Sequence, residues 1–330
     1  MIPQLGLLLA TAAAFAPTRI NKYSLSTRLG ATPLGDNLPL VITTIDARPV
    51  EGEPGVYDFD KNIVGDAADD DAHFFKDVTV REEKGVNIYR GTEVQNAGAA
   101  IDEIARQRGC KHCMMYVHGF TNTPGVVFDA VEAMNEYYKG KDVFVIPICW
   151  PAERVNYFGQ KEDAPGAANA LRSLVPGVMS ATTPISVMCH SMGNFVLKKF
   201  APDDPAKVRF KFHNIYMVAA DVRSTTFDKG DDTGDGADIL SICGKKVHVL
   251  WNWWDMALLG RRALNSGRRA LGKVGDEGKQ GDGKLIADAS ELVYRESNDL
   301  NKQVEGFVNR RTGHGYQAVD GALDYYLAEL

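Results

Sequence analysis

Ile185-Ser-Val-Met-Cys-His-Ser-Met-Gly-Asn194, followed at once by Phe195-Val-Leu-Lys-Lys-Phe200, decides the reading of this chain. Residues rich in β-formers run straight into Cys-His-Ser-Met-Gly, and a helical pattern begins immediately afterwards. A serine placed on so sharp a strand-to-helix turn stands clear of the backbone, with its hydroxyl exposed at the top of a sheet. That is the geometry of a nucleophile elbow, G-x-S-x-G, here with Cys189 in place of the first glycine. One pentapeptide with a mismatch is weak by itself. It gains weight only if the rest of the chain supplies partners in the right order.

The surrounding pattern supports a buried parallel sheet. Helices are predicted over Ala99–Arg106, Val126–Tyr138 and Ala167–Leu174. They alternate with short apolar strands at Met114–Val117, Val143–Cys149, Ile185–Cys189, Asn214–Ala220 and Val247–Trp251. Short, continuously apolar strands between helices indicate a mostly parallel sheet covered on both faces. Nearer the start, Leu38–Asp46 and Val86–Arg90 read as further strands around an acidic loop, Gly65–Ala72. Asp228–Asp238 and Gly275–Gly283 read as surface loops. No linker or internal repeat divides the chain, so residues 36–330 are expected to form a single domain.

In such sheets ligands bind beyond the carboxyl ends of the strands, so the residues that follow each strand carry the chemistry. His118-Gly-Phe120 follows Met114–Val117, and the glycine lets a following N–H turn toward a developing oxyanion. The two oxyanion donors expected are the N–H groups of Phe120 and Met192, the residue after the serine. Asp255 follows Val247–Trp251, and the order Ser…Asp…His then requires a later histidine. Of the seven histidines only His314 lies beyond Asp255, between two glycines. A serine hydroxyl needs a histidine to accept its proton, and the acid orients that histidine. Ser191, His314 and Asp255 are therefore the candidate nucleophile, base and acid. Asp221, at the end of Asn214–Ala220, is the alternative acid. His118 is expected to bond the loop backbone, and His190 to pack inside the elbow.

The chain also resembles a known family. His118-Gly-Phe, Trp150-Pro, His190-Ser-Met-Gly-Asn194, Ala219-Ala-Asp-Val222, Asp255-Met-Ala-Leu258, Arg269-Ala-Leu-Gly272 and His314-Gly-Tyr316 match, in order, a group of α/β-hydrolases catalogued as a domain of unknown function. The resemblance spans roughly Met114 to Tyr316 and implies the α/β-hydrolase fold and a Ser191–Asp255–His314 triad. Two departures are small: Trp-Pro-Ala where Trp-Pro-Ser is usual, and His-Gly-Tyr where His-Ser-Tyr is usual. The resemblance names no substrate.

The function expected is a serine hydrolase acting on a carboxylic ester, with acyl lipids and thioesters as variants of the same chemistry. The alternatives are a non-catalytic binding or scaffold protein that keeps the fold, and an acyltransferase using the same triad. Trp150, Trp253 and Trp254 are expected near the mouth of the site, where aromatic walls suit acyl chains, sugars or rings; core packing would explain them equally well. Leu258–Lys273 is apolar at helical spacing and carries five basic residues, a pattern that suits peripheral membrane contact as well as packing on a sheet.

Composition narrows the partners. A net charge of −6 argues against general nucleic-acid binding, which needs a basic footprint. Asp231–Asp238 loosely resembles a calcium loop, yet Ile242 stands where a bidentate glutamate belongs, so no metal or other cofactor is expected. The five scattered cysteines, Cys110-x-x-Cys113 included, lack the pattern of a disulfide framework or a zinc site. They fit a reducing compartment.

The first 35 residues differ from the rest. No acidic residue precedes Asp36, while Arg19, Lys22 and Arg28 are basic. Leu5–Ala14 is apolar but shorter than the roughly 20 residues a membrane span needs. It matches the apolar core of a signal peptide, and Phe15–Leu29 is hydroxylated and basic like a transit peptide. The join Ala-Ala-Ala-Phe-Ala-Pro resembles the bipartite presequence of algae with complex plastids. A targeting presequence over residues 1–35 and a plastid location are expected, with the secretory pathway as the alternative.

Overall fold

The computed structural model describes residues 32–34, 37–60, 72–152, 157–202, 208–229, 233–252, 255, 257–259, 269–274, 291–296, 314–315, 317–318 and 320–330. The expected presequence but for Thr32–Leu34, the acidic loop but for Ala72, the Gly275–Gly283 loop and most of Leu258–Lys273 lie outside these residues.

Among the described residues twelve strands form one sheet: β1 (Thr32–Pro33), β2 (Leu40–Thr43), β3 (Ala47–Pro49), β4 (Val56–Asp60), β5 (His73–Glu83), β6 (Val86–Glu93), β7 (His112–Val117), β8 (Val143–Cys149), β9 (Ile185–His190), β10 (Ile215–Val218), β11 (Val247–Trp251) and β12 (Leu292–Glu296). Their order is β12-β11-β10-β9-β7-β8-β2-β5-β6-β4-β3, with β1 beside β5. From β12 to β2 every pair is parallel. From β2 through β5, β6 and β4 to β3 every pair is antiparallel. The mostly parallel sheet is as expected; the antiparallel wing is larger than the sequence indicates, since the expected strands cover β2 and only part of β6.

The parallel strands are buried on both faces because helices cover both. α1 (Ala97–Arg108), α3 (Tyr157–Val178) and α4 (Gly193–Phe200) pack Ile101, Leu171 and Val196 on one side. α5 (Asp235–Ser241) and α6 (Leu271–Val274) add Ile239 and Leu271 there. α2 (Pro124–Tyr137) and α7 (Asp320–Glu329) pack Val131, Leu323 and Tyr326 on the other. Burying one such side chain contributes roughly 1.5–3 kcal/mol.

Boundaries shift for identifiable reasons. α1 starts earlier than expected because Asn96 accepts the Ala99 N–H at 3.0 Å, and it ends where Gly109 turns left-handed at φ 66°. α2 starts at Pro124, with the Thr123 hydroxyl as its cap. α3 runs well beyond Ala167–Leu174 despite Pro165, which gives up one backbone hydrogen bond. Ala164, Ala167, Ala168, Leu171, Val175 and Val178 form a buried stripe at helical spacing, and that packing outweighs the proline. β10 is shorter than expected because Ala219 takes a positive φ of 47°.

α7 is pinned to the sheet by polar contacts. Asn214 Nδ2 donates to the Glu329 carbonyl at 2.8 Å, and the Tyr138 hydroxyl donates to the Leu323 carbonyl at 3.0 Å. His248 Nδ1 lies 2.7 Å from the Tyr325 hydroxyl. Among the described residues no helix is long and apolar enough to cross a membrane.

Candidate active site

The chain runs from β7 to β8 in one direction, then returns across β7 to β9 and continues the other way through β12. The strand order therefore switches between β7 and β9, and the crevice at their carboxyl ends is where such sheets bind ligands. Gly119, Phe120 and Ser191 all follow these two strands.

Ser191 adopts φ 54°, a left-handed conformation that costs a non-glycine residue about 1–3 kcal/mol. Its surroundings over-determine it. The Ser191 N–H donates to the Val218 carbonyl at 2.9 Å. The Ser191 carbonyl accepts from the N–H groups of Asn194 and Asp221, each at 3.1 Å. Asn194, fully buried, also directs Nδ2 to the carbonyls of Cys189 at 2.8 Å and Ser191 at 3.1 Å. One amide thus ties the end of β9 to the serine.

The elbow also needs its second glycine. A Cβ on Gly193 would stand 2.6 Å from the carbonyl oxygens of both Val117 and His118. Gly193→Ala is expected to destabilise the protein by about 1–3 kcal/mol, read from its urea midpoint, because the clash is with backbone that cannot step aside. Cys189 meets no such constraint. It is fully buried and pairs across the sheet with Val117 and Met217, so its thiol is part of the core.

His314 joins Ser191 to Asp255. Its Nε2 lies 2.8 Å from Ser191 Oγ, and its Nδ1 lies 2.7 Å from Asp255 Oδ2. An ionised carboxylate only accepts, so Nδ1 carries the proton and Nε2 is left to accept from the serine hydroxyl. Asp255 is wholly buried, and its Oδ1 accepts the Leu258 N–H at 3.0 Å. Burial alone would depress the His314 pKa. The charge and hydrogen bond of Asp255, with the charge of Asp221 adding to them, hold it above the ordinary histidine value of 6.5.

Asp221 is close by but otherwise engaged. It is buried, and its Oδ2 accepts the Tyr157 hydroxyl at 2.5 Å. Of the two candidate acids, Asp255 is the one on the histidine ring. Tyr157 in turn stands edge-on to Phe120, their ring centres 5.8 Å apart.

The loop after β7 is set by His118. The Trp150 N–H donates to His118 Nε2 at 3.1 Å, so Nδ1 bears the proton and donates to the Gly119 carbonyl at 3.0 Å. Burial drives the His118 pKa to about 4 and keeps the ring neutral. In a trans peptide the carbonyl and the next N–H point opposite ways, so holding the Gly119 carbonyl aims the Phe120 N–H. Among the described residues neither the Phe120 N–H nor the Met192 N–H donates to another group.

Trp150 is corrected by the structure. It is 1% exposed, stacks on His118 and donates Nε1–H to the His118 carbonyl at 2.9 Å. It braces the loop from the core and does not line an open mouth. Trp253 and Trp254 lie outside the described residues. The elbow motif gives no role for Asn194, described above; His190 is buried inside the elbow as expected, and in addition its Nε2 lies 3.1 Å from the His314 carbonyl. The signal for both was a polar residue inside an otherwise buried turn. All five cysteines are free.

A family profile described as "Alpha/beta hydrolase of unknown function (DUF900)" matches residues 95–306. The chain belongs to this family. The match covers β7 through β12, and with them the elbow and Asp255. No match to a curated protein is found. Among solved structures, RedJ with a PEG molecule bound in its active site is 12% identical at TM-score 0.37, over 68% of this chain and 91% of that one. Esterase PE8 is 13% identical at TM-score 0.37, over 67% and 91%. Esterase B from Lactobacillus rhamnosis, inhibited by a C4-C4 SN3 tributyrin phosphonate, is 10% identical at TM-score 0.36, over 99% and 93%. Likenesses this remote leave the assignment to the family match and the fold.

Proposed function

We propose that this α/β hydrolase cleaves carboxylic esters through an acyl-enzyme on Ser191. The observation that carries the reading is the unbroken line from Asp255 through His314 to Ser191, at 2.7 and 2.8 Å. His314 Nε2 takes the hydroxyl proton as Ser191 Oγ attacks the ester carbonyl. Asp255 stabilises the imidazolium without itself taking the proton. The N–H groups of Phe120 and Met192 stabilise the oxyanion, and each such donor is worth about 10²–10³ in rate. His314 then gives the proton to the leaving alcohol, and a water activated by the same histidine releases the acid. An alcohol in place of that water would make the same residues an acyltransferase.

A fluorophosphonate probe tests the reading without a known substrate. It is expected to label the native protein at Ser191 and to leave Ser191→Ala unlabelled. No labelling, or equal labelling of the variant, would refute the nucleophile. A scaffold that merely kept the fold would have no need of an intact acid–base–serine line. Phe120 and Tyr157 give the site an aromatic border suited to an acyl chain, and a panel of p-nitrophenyl esters of increasing length would define the acyl group.

The pH profile follows from His314. Only the unprotonated ring accepts the serine proton, and its pKa is raised above 6.5. kcat/KM is therefore expected to be full above that raised value and to fall as the pH drops through it, with the acid limb centred above 6.5. A limb centred below 6.5 in the native enzyme would contradict the assignment of His314.

Plastid targeting through residues 1–35 is a separate proposal, supported by the acid-free, basic and hydroxylated composition of that segment. Intact mass of the protein from its source is expected to give a mature chain beginning at or after Phe15. A longer mature chain would refute cleavage there.

A further inference from the structure

We propose that His190, the residue before the nucleophile, is a positioning residue that holds the catalytic base in register by donating its Nε2–H to the His314 carbonyl. This inference rests on the reading of Ser191 and His314 as nucleophile and base.

The base, His314, stands between two glycines in the chain, Gly313 and Gly315, neither of which has a side chain to pack. Its ring must nevertheless keep two hydrogen bonds at once, to Asp255 and to Ser191. A displacement of about 1 Å at such a centre costs on the order of 10²-fold in rate. Something must fix the backbone of residue 314 relative to the elbow, and the elbow itself provides it.

The contact identifies its own donor. A carbonyl oxygen only accepts, so at 3.1 Å it is His190 Nε2 that carries the hydrogen. His190 Nδ1 is then bare, and it is buried with no hydrogen-bond partner among the described residues. A ring left with one nitrogen unsatisfied is placed for the sake of the other. The same ring faces the oxyanion loop, since a Cβ on Gly119 would come 3.2 Å from His190 Nδ1. His190 thus touches the segments that carry the nucleophile, the base and the oxyanion peptide.

The chemistry also asks for a neutral donor. His314 becomes an imidazolium during each half-reaction, and the two ring centres are only 4.9 Å apart. A lysine or arginine here would oppose that charge. Burial holds the His190 pKa down to about 3, with His314 pressing the same way, so the ring donates an N–H without bringing a charge. Asp255 supplies the charge and His190 supplies the alignment.

The experiment compares near-isosteric replacements with and without an N–H, read by the rate at which a fluorophosphonate labels the folded protein. His190→Gln keeps a donor near the Nε2 position, and His190→Met removes it. His190→Gln is expected to label within tenfold of the native rate, and His190→Met about 10²-fold more slowly. His190→Phe, which keeps a ring but no donor, is expected to match His190→Met and guards against a variant that fails to fold. Thermal unfolding of each confirms that folded protein is being compared. Equal labelling of the Gln and Met variants would overturn the proposal and leave the Ser191 reading intact. Labelling that is absent from the native protein, or that persists in Ser191→Ala, would instead overturn the reading of the site.

Discussion

Ser191→Ala is expected to lower ester hydrolysis by about 10⁶-fold while the protein stays folded. Removing the nucleophile disables the line of groups as a unit, because His314 and Asp255 act on the reaction only through that oxygen. The measurement is hydrolysis of a short p-nitrophenyl ester with the thermal midpoint followed alongside. The midpoint should hardly move, since alanine keeps a Cβ at the left-handed φ of 54° that serine already tolerates. Ser191→Gly makes the complementary measurement. It should be equally inactive but more stable, because glycine occupies that φ without strain. Retained hydrolysis in Ser191→Ala would place the nucleophile elsewhere.

Asp255→Asn is expected to cost about 10⁴-fold in kcat, whereas Asp221→Asn should cost about tenfold or less. The difference follows from where each carboxylate sits. Asp255 Oδ2 is 2.7 Å from His314 Nδ1, so an amide there favours the wrong tautomer and withdraws the charge that stabilises the imidazolium. Asp221 accepts from Tyr157 and acts on His314 only through its charge. The pH profile separates them further. With the Asp255 charge gone, burial is the stronger influence on His314, and the acid limb moves to lower pH. Comparable losses in the two variants would mean that the acid is shared between them.

Much of this site was legible in the sequence because parallel strands place chemistry at their ends. Ser191 and Asp255 each follow a strand, and His314 is the one histidine beyond Asp255, an order that chain position alone reveals. Phe120 and Met192 follow from the same rule. What the sequence concealed depended on tertiary contacts. The antiparallel wing was seen only in part, because β3 and β4 are short and β5 carries exposed Lys76 and Asp77. The hairpin of β5 and β6 did carry a signal, Lys84-Gly85, both at positive φ. Pro165 marked a helix boundary by local rules, and burial of the alanine-rich stripe overrode them. Trp150 shows the reverse error: a tryptophan at a strand end is as well suited to bracing a loop from beneath as to lining its mouth. The tautomers of His118 and His190 were beyond sequence reading altogether, since each is set by a partner distant along the chain.

The docking of α7 bears on the proposed base from one side. The sheet, the elbow and the loop after β7 all precede His314 along the chain. Beyond His314, α7 is moored by Glu329, Leu323 and Tyr325 to Asn214, Tyr138 and His248. On the proposed reading, a change that loosens α7 would leave the strained Ser191 in place and deprive it of its base, so turnover would report on a helix that supplies none of the reacting groups.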